Sequence, residues 1–423
     1  MKYNKIENSN YNLHLIETDK FKTVTVKVNF KREYLKEEIT KRNLLVNILL
    51  EGSKNYPSRR LLEIKTEDLY DLGYRIMNYA SGKCSIMSFE MTFINPSYTE
   101  DIMFDESFKF INELIFNPYI DDNKFTKKNY KLACNISNDY FDTLKEDTNS
   151  YSQMRMLEEM NEKYISYRSC GYREDLKNIN EQNLYEYYKD MIANDIVDIF
   201  IIGNISKEKA IDLVSKYLPF KTNKKINLEH FYKRDEVTDE IKSVSEKINK
   251  EQSTLVLGLR YDNLTEYDAR YTMMVYNYIL GGSTESNLFK IVREENSLCY
   301  YITSQSQPIL NIGLIRSGIN ADDYDKVIAL IYHELENMKK GNFDDSKIEN
   351  AKTTYINGLT ELEDNQDSVI SLYEGMEYLN SDTIDNRIKN IKKVTRDDVI
   401  RVANMVHLNV IYLLEGILEN EEK

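Results

Sequence analysis

The side chains that most often carry chemistry are few in this chain and far apart. Its four histidines, His14, His230, His333 and His407, include no two that are close in sequence. A zinc site needs three or four good donors converging on one point, so the histidines by themselves predict none. Cys84, Cys134, Cys170 and Cys299 are equally scattered, with no C-x-x-C, and read as reduced thiols of a cytoplasmic protein. The carboxylate pairs Glu158-Glu159 and Glu294-Glu295 are adjacent, and adjacent residues do not share a helix face, so they read as surface charge. His333-Glu334 falls on an amphipathic helix and reads as solvent-exposed. Gly281-Gly282 lacks the Gly-Lys-Ser/Thr that would follow in a phosphate loop. Chemistry, if present, must come from groups less obvious than these.

The elements that would position such groups can be read from periodicity. Residues 11–30 alternate apolar and polar (Leu13, Leu15, then Val24, Val26, Val28, Phe30), which predicts two half-buried strands. Helix signals follow over 37–51 and again near 58–72. In the first of these, Asn43-Leu44-Leu45-Val46-Asn47 is an apolar helix turn that runs into the break Gly52-Ser53. Residues 84–94 alternate once more and stop at Asn95-Pro96. Phe104, Phe108, Ile111, Leu114 and Ile115 stand at helical spacing and end before Pro118. A long helical region is predicted over 122–165, then a helix near 181–191 and the apolar strand Ile196–Ile202.

The second half repeats the first. Asn180–Gly203 (helix, strand, glycine) resembles Thr395–Gly416, and Ile48-Leu49-Leu50-Glu51-Gly52-Ser53 resembles Tyr278-Ile279-Leu280-Gly281-Gly282-Ser283. A repeat of about 200 residues means a duplicated domain, not a solenoid. The predicted division is 1–219, a polar linker over 220–250, and 251–423. The order of elements fits α+β: mainly antiparallel sheets with helices on one face.

Composition narrows the partners. Hydrophobic residues are 41% and charged residues 30% of the 423, which is globular. The net charge of -14 carries no basic patch, which argues against nucleic acid. Met1–Asn8 lacks the apolar core of a signal peptide, and no window approaches the ~18 apolar residues of a membrane span.

With these motifs in view, the chain resembles the M16 metalloproteases (pitrilysin, insulysin, mitochondrial processing peptidase), and most closely the short M16B-type proteins of low-GC Gram-positive bacteria. The C-terminal half carries the fuller match. Ile279-Leu280-Gly281-Gly282-Ser283 through Leu288-Phe289, Val292-Arg293-Glu294-Glu295 and Leu298-Cys299-Tyr300 is similar to the family's "LGGG…SRLF…LREK…LAY". The resemblance implies two homologous LuxS/MPP-like α/β domains arranged as a clam shell. In the family, the helix before the glycine break reads H-x-x-E-H. Here the two zinc histidines fall on Asn43 and Asn47 and the general-base glutamate on Val46. The third zinc ligand, a later glutamate, falls on Asn135 in Lys131-Leu132-Ala133-Cys134-Asn135-Ile136. Amides are poor zinc ligands beside imidazole and carboxylate, so the expectation is a chain without metal or cofactor.

The resemblance also implies a substrate-binding pair, Arg293 and Tyr300, which stand where the family's arginine and tyrosine hold peptide near the zinc. Both can donate to a peptide carbonyl. By default Arg293 would make a surface ion pair and Tyr300 would fill a strand. The expected function is a proteolytically inactive subunit in a heterodimer with an H-x-x-E-H homologue, where zinc resides only in the partner. It would offer Arg293 and Tyr300 to a shared chamber that binds peptide or unfolded polypeptide. The alternative is a non-enzymatic peptide-binding or scaffold protein of the same fold, as a homodimer.

Overall fold

The structure, a computed structural model, describes residues 1–221, 228–232, 240–262 and 264–417. The chain divides into two compact units. One comprises Met1–Asp142, Arg168–His230 and Asp364–Glu374; the other comprises Thr143–Tyr167, Phe231–Glu363 and Gly375–Lys423. The two units are therefore not the contiguous stretches 1–219 and 251–423. Each takes in a segment from the other half of the sequence.

In the first unit, β1 (Lys2–Glu7), β2 (Asn12–Glu17) and β3 (Thr23–Glu33) lead into helices α1 (Lys36–Leu49) and α2 (Arg59–Asp68). The hairpin β4 (Gly73–Ser81) and β5 (Cys84–Ile94) follows, then α3 (Met103–Phe116). A two-residue ladder, β6 (Ile120–Asp121) with β7 (Lys124–Phe125), precedes α4 (Lys127–Thr143). The chain then contributes α5 (Thr148–Met160) to the second unit and returns for α6 (Glu181–Asn194), β8 (Ile196–Gly203) and α7 (Lys207–Tyr217). The six strands stand in the order β1-β2-β8-β3-β5-β4, antiparallel except for β2 beside β8. The helical region expected as one run over 122–165 is two helices. Asp147 ends the gap between them by accepting hydrogen bonds from Asn149 N and Ser150 N, a side-chain N-cap.

The alternation in β3 places Val24, Val26, Val28 and Phe30 against a core shared with Phe108, Ile111, Leu114 and Ile115 of α3. Burial of each such side chain contributes about 1.5–3 kcal/mol. The expectation of half-buried strands fails on the other face. Thr25, Lys27, Asn29 and Lys31 are also buried. Part of their cover is the late segment Asp364–Glu374. Gln366 Oε1 accepts from Thr25 Oγ1 at 3.0 Å, and Glu374 Oε1 meets Lys27 Nζ at 2.7 Å and Asn29 Nδ2 at 2.6 Å. These buried polar groups are tolerated because they have partners.

The second unit opens with β9 (Lys242–Ile248), then β10 (Ser253–Tyr261) and α8 (Met273–Leu280). A π-helical segment Phe289–Glu295 precedes β11 (Cys299–Gln307) and β12 (Ile312–Ile319). Next come α9 (Tyr324–Lys340), α10 (Asp345–Glu361), α11 (Gln366–Leu379), whose first residues belong to the first unit, α12 (Ile384–Ile391), α13 (Arg396–Ala403) and β13 (Val406–Gly416). The sheet order is β11-β12-β10-β13-β9. Strand for strand this repeats β4-β5-β3-β8-β2, down to one parallel pair, β9 with β13. The duplication is thus visible in topology. The stretch 242–248, expected as linker, is the edge strand β9, with alternate residues exposed; 222–227 and 233–239 lie outside the described residues.

One glycine shows how tightly α5 is seated. A Cβ built on Gly258 of β10 would stand 2.5 Å from Met156 Sδ. Tyr151, Met156 and Met160 of α5 pack there with Val256, Leu314, Val410 and Tyr412. On the other side of that sheet, Leu255, Leu257 and Ile315 face Tyr276 of α8, Ile331 of α9 and Val402 of α13. Each sheet therefore carries cover on a second face beyond the single helical layer expected.

Candidate functional site

Helix α1 is held to its sheet by Leu44, Leu45, Ile48 and Leu49, and by a charge that is fully buried. The guanidinium of Arg42 donates to Tyr187 Oη at 3.1 Å and to Asp195, which also accepts from Arg32 Nε at 2.5 Å. Burial pushes the Asp195 carboxyl up, against the pull of Arg42 and Arg32. The helix ends where Gly52 adopts φ +149°, with Ser58 N 2.8 Å from where a Cβ would be, so no other residue fits the turn.

This anchoring turns Asn43, Val46 and Asn47 toward a cleft of about 360 Å³. Its opposite wall is Ile136, Ser137, Tyr140 and Phe141 of α4, and its rim includes Asn78, Ser169 and Cys170. Asn43 Nδ2 donates to Ser169 O at 2.8 Å, and Asn43 Oδ1 accepts from Asn78 Nδ2 at 2.9 Å. Asn47 Nδ2 donates to Ser137 Oγ at 3.4 Å. Tyr140 is 53% exposed and Ile136 40%. The cleft thus offers amides, hydroxyls, the Cys170 thiol and apolar surface, with no carboxylate, imidazole, ammonium or guanidinium group among the described residues of its lining.

Three of the four expected motif positions come together here. Asn135 does not: it is exposed on α4, and Ser137, two residues on, is the α4 side chain that meets Asn47. The donor set does not fit zinc. The Asn43 amide is engaged on both its atoms, the Asn47 amide donates to Ser137, and Val46 offers no base. Among the described residues no cluster of three His, Cys, Asp or Glu could hold a metal elsewhere.

The histidines have other roles. His14 is fully buried between Tyr3 Oη (2.8 Å) and Asp198 (3.8 Å), stacked on Phe200. Although burial opposes it, Lys31 and His14 hold the Asp198 carboxyl well below the usual range. His230 is buried against Ser81, and burial together with the Lys31 charge pushes it down to about 4. The members of this interior cluster are up to 216 residues apart, from His14 to His230, too far for any local sequence pattern to link them. His333 is exposed as expected, but its neighbour Glu334 is not: that carboxylate is buried, 3.2 Å from His333 Nδ1, while His407 pairs with Asp262 at 3.2 Å.

Arg293 and Tyr300 belong to the second unit. Arg293 sits on the π-helical segment, exposed, its guanidinium 4.9 Å from the centre of the Phe289 ring. Tyr300 falls at a bulge, since β11 pairs Cys299 with Ile319 and then Tyr301 with Gly318. The extra residue has no partner in the ladder, and Tyr300 stands 63% exposed, the most exposed tyrosine among the described residues. It is not a strand filler.

Comparison with known proteins agrees with this geometry. Residues 178–355 match the sequence profile of the Peptidase M16 inactive domain. A relative from Bacillus subtilis, "Probable inactive metalloprotease YmfF", is 26% identical over 411 residues, covering 95% of each chain. A conserved protein from Enterococcus faecalis has a crystal structure that superposes with a TM-score of 0.92 at 28% identity, over 99% of this chain and all of that one. A peptidase M16 inactive domain from Pseudomonas fluorescens shares the fold over 99% of both chains, with a TM-score of 0.77 at 15% identity.

Proposed function

We propose that this chain, an M16-type peptidase homologue of the inactive kind, holds polypeptide without cutting it and serves as the non-catalytic subunit beside an H-x-x-E-H homologue. One observation carries the reading. The helix face on which zinc and base would stand presents Asn43, Val46 and Asn47 to a cleft that, among the described residues, is lined by no carboxylate, imidazole, ammonium or guanidinium group. Water activation needs a cation held by good ligands and a group to take the proton, and neither is available. Meanwhile Tyr300 is left outside its ladder and exposed, and Arg293 is exposed in the segment before it. A free phenol and guanidinium are suited to orienting a peptide backbone in a chamber shared with the partner. The four free thiols support a cytoplasmic setting, and no described helix is long and apolar enough to cross a membrane.

The test is reconstitution. The H-x-x-E-H homologue is mixed with wild-type chain, Arg293→Ala or Tyr300→Phe, and cleavage of an unstructured peptide is followed. Loss of one positioning contact should lower the rate on the order of tenfold to a thousandfold at unchanged complex formation. Full cleavage with both variants would refute the substrate-binding role. Failure of the wild-type chain to associate with, or stimulate, the homologue would refute the pairing.

A further inference from the structure

A second cavity of about 470 Å³ lies in the first unit and shares no lining residue with the cleft beside α1. Four lysines line it: Lys54 after α1, Lys65 of α2, Lys109 of α3 and Lys216 of α7. The carboxylates around them are shared. Glu106 accepts from both Lys65 (3.1 Å) and Lys109 (2.7 Å). Asp105 lies 2.7 Å from Lys216 and 3.6 Å from Lys209, and also accepts from Tyr217 Oη at 2.5 Å. Hydrogen bonds from Lys216 and Tyr217 hold the Asp105 carboxyl down at about 2, and the Lys109 hydrogen bond lowers that of Glu106. These carboxylates are ionised at neutral pH, and each is spread over two ammonium groups.

The remaining acid in the lining, Glu113, is turned to a structural task. It is 5% exposed and accepts from Asn55 N at 2.6 Å and Asn55 Nδ2 at 2.9 Å, which fixes the loop that presents Lys54. Among the described residues Lys54 Nζ has no carboxylate partner. The lining as a whole sets four lysines against two glutamates, on a chain whose net charge is -14. Charges beyond about 10 Å are largely screened at ordinary salt, so a ligand here meets the local excess and not the acidic whole. Asn112, Asn117 and Tyr217 add neutral polar groups to the wall, and Phe110 and Tyr56 give it a rigid aromatic side.

We propose that this cavity binds a compact phosphate-type oxyanion, held by Lys54 and Lys109 with support from Lys65 and Lys216. Lysines converging on one recess from three helices and a pinned loop are the arrangement a small, multiply charged anion requires, since each ammonium is a point charge with three donors. An oxyanion would take the hydrogen bonds that the ammonium groups do not give to Glu106 and Asp105.

The experiment is calorimetric titration of the full chain with inorganic pyrophosphate, against sodium chloride at matched ionic strength. Saturable one-site binding is expected, weakened about tenfold by either Lys54→Ala or Lys109→Ala, as for loss of one charge-assisted contact. Lys392→Ala, on the second unit, should leave affinity unchanged. Circular dichroism identical to wild type shows that each variant is folded. Absence of saturation beyond the chloride control would overturn the proposal. So would equal affinity of both cavity variants and wild type.

Discussion

Five strands of each sheet run in the same order, yet their second faces are closed differently, mostly by apolar contacts in the second unit and by polar and charged ones in the first. In the second unit, α5 lays Tyr151, Met156 and Met160 on Val256, Leu314 and Val410, with Gly258 making room. In the first unit, the residues at the matching places on β3 are Thr25, Lys27, Asn29 and Lys31, and the late segment meets them with Gln366 and Glu374. An apolar closure is stabilised by every methylene removed from water. A charged closure gains little net stability, because desolvation offsets most of the attraction, and it fails badly when one partner is lost. The same duplicated fold therefore has one robust closure and one that depends on each pair being complete.

That difference predicts its own largest breakage. Asp198 is fully buried and holds Lys31 Nζ at 2.6 Å and Asn12 Nδ2 at 2.7 Å, with His14 at 3.8 Å. Asp198→Ala would take from the buried Lys31 the carboxylate that stands 2.6 Å from its ammonium and should destabilise the first unit by about 3–5 kcal/mol. Hydrogen exchange monitored peptide by peptide would show faster opening of β2, β3 and β8, with β10 and β13 unchanged. Equal loosening of both sheets would mean the polar closure is not specific to the first unit.

A smaller effect follows from pH. His230 belongs to the same buried region, and its folded value of about 4 lies below the ordinary 6.5. Between those values the unfolded chain takes up a proton that the folded chain refuses. Stability from this group is fully present above 6.5 and is lost as pH falls toward 4, to at most about 3 kcal/mol. His230→Gln should flatten the decline of first-unit stability over that window. An unchanged pH profile in urea unfolding would show that another group carries it.

How far the sequence revealed this depends on the distance between interacting residues. Val24, Val26, Val28 and Phe30 announced β3, because a period of two is local. The burial of their polar neighbours could not be read, since the covering residues Gln366 and Glu374 lie more than 340 positions later. The cap at Asp147 was legible and would have split the region 122–165. Asn43, Val46 and Asn47 share a face by helical spacing, so their meeting at one cleft followed from the helix alone. The α4 wall did not: intervening loops of uncertain length leave the helical phase open, and Asn135 and Ser137 are two positions apart. The bulge that frees Tyr300 is a slip of one residue in pairing, and no local pattern records it.

The mildest perturbation tests the closure at its edge. Gln366 is 9% exposed and completes four contacts: its Oε1 accepts from Thr23 Oγ1 at 2.7 Å and Thr25 Oγ1 at 3.0 Å. Its Nε2 donates to Thr23 O at 3.0 Å and Ile202 O at 3.4 Å. Gln366→Ala strands two hydroxyls and two carbonyls, but hydroxyls can rotate to other acceptors and Thr25 Oγ1 already has Thr92 Oγ1 at 2.8 Å. Water can also enter beside the shortened side chain. The net cost should therefore be about 1–2 kcal/mol, near that of one or two ordinary hydrogen bonds. Exchange should quicken locally, at the start of α11 and the Thr23 end of β3, while Glu374 keeps Lys27 and Asn29 protected. If the whole segment Asp364–Glu374 instead came free on this single change, the charged closure would be one cooperative latch and not a set of separable pairs.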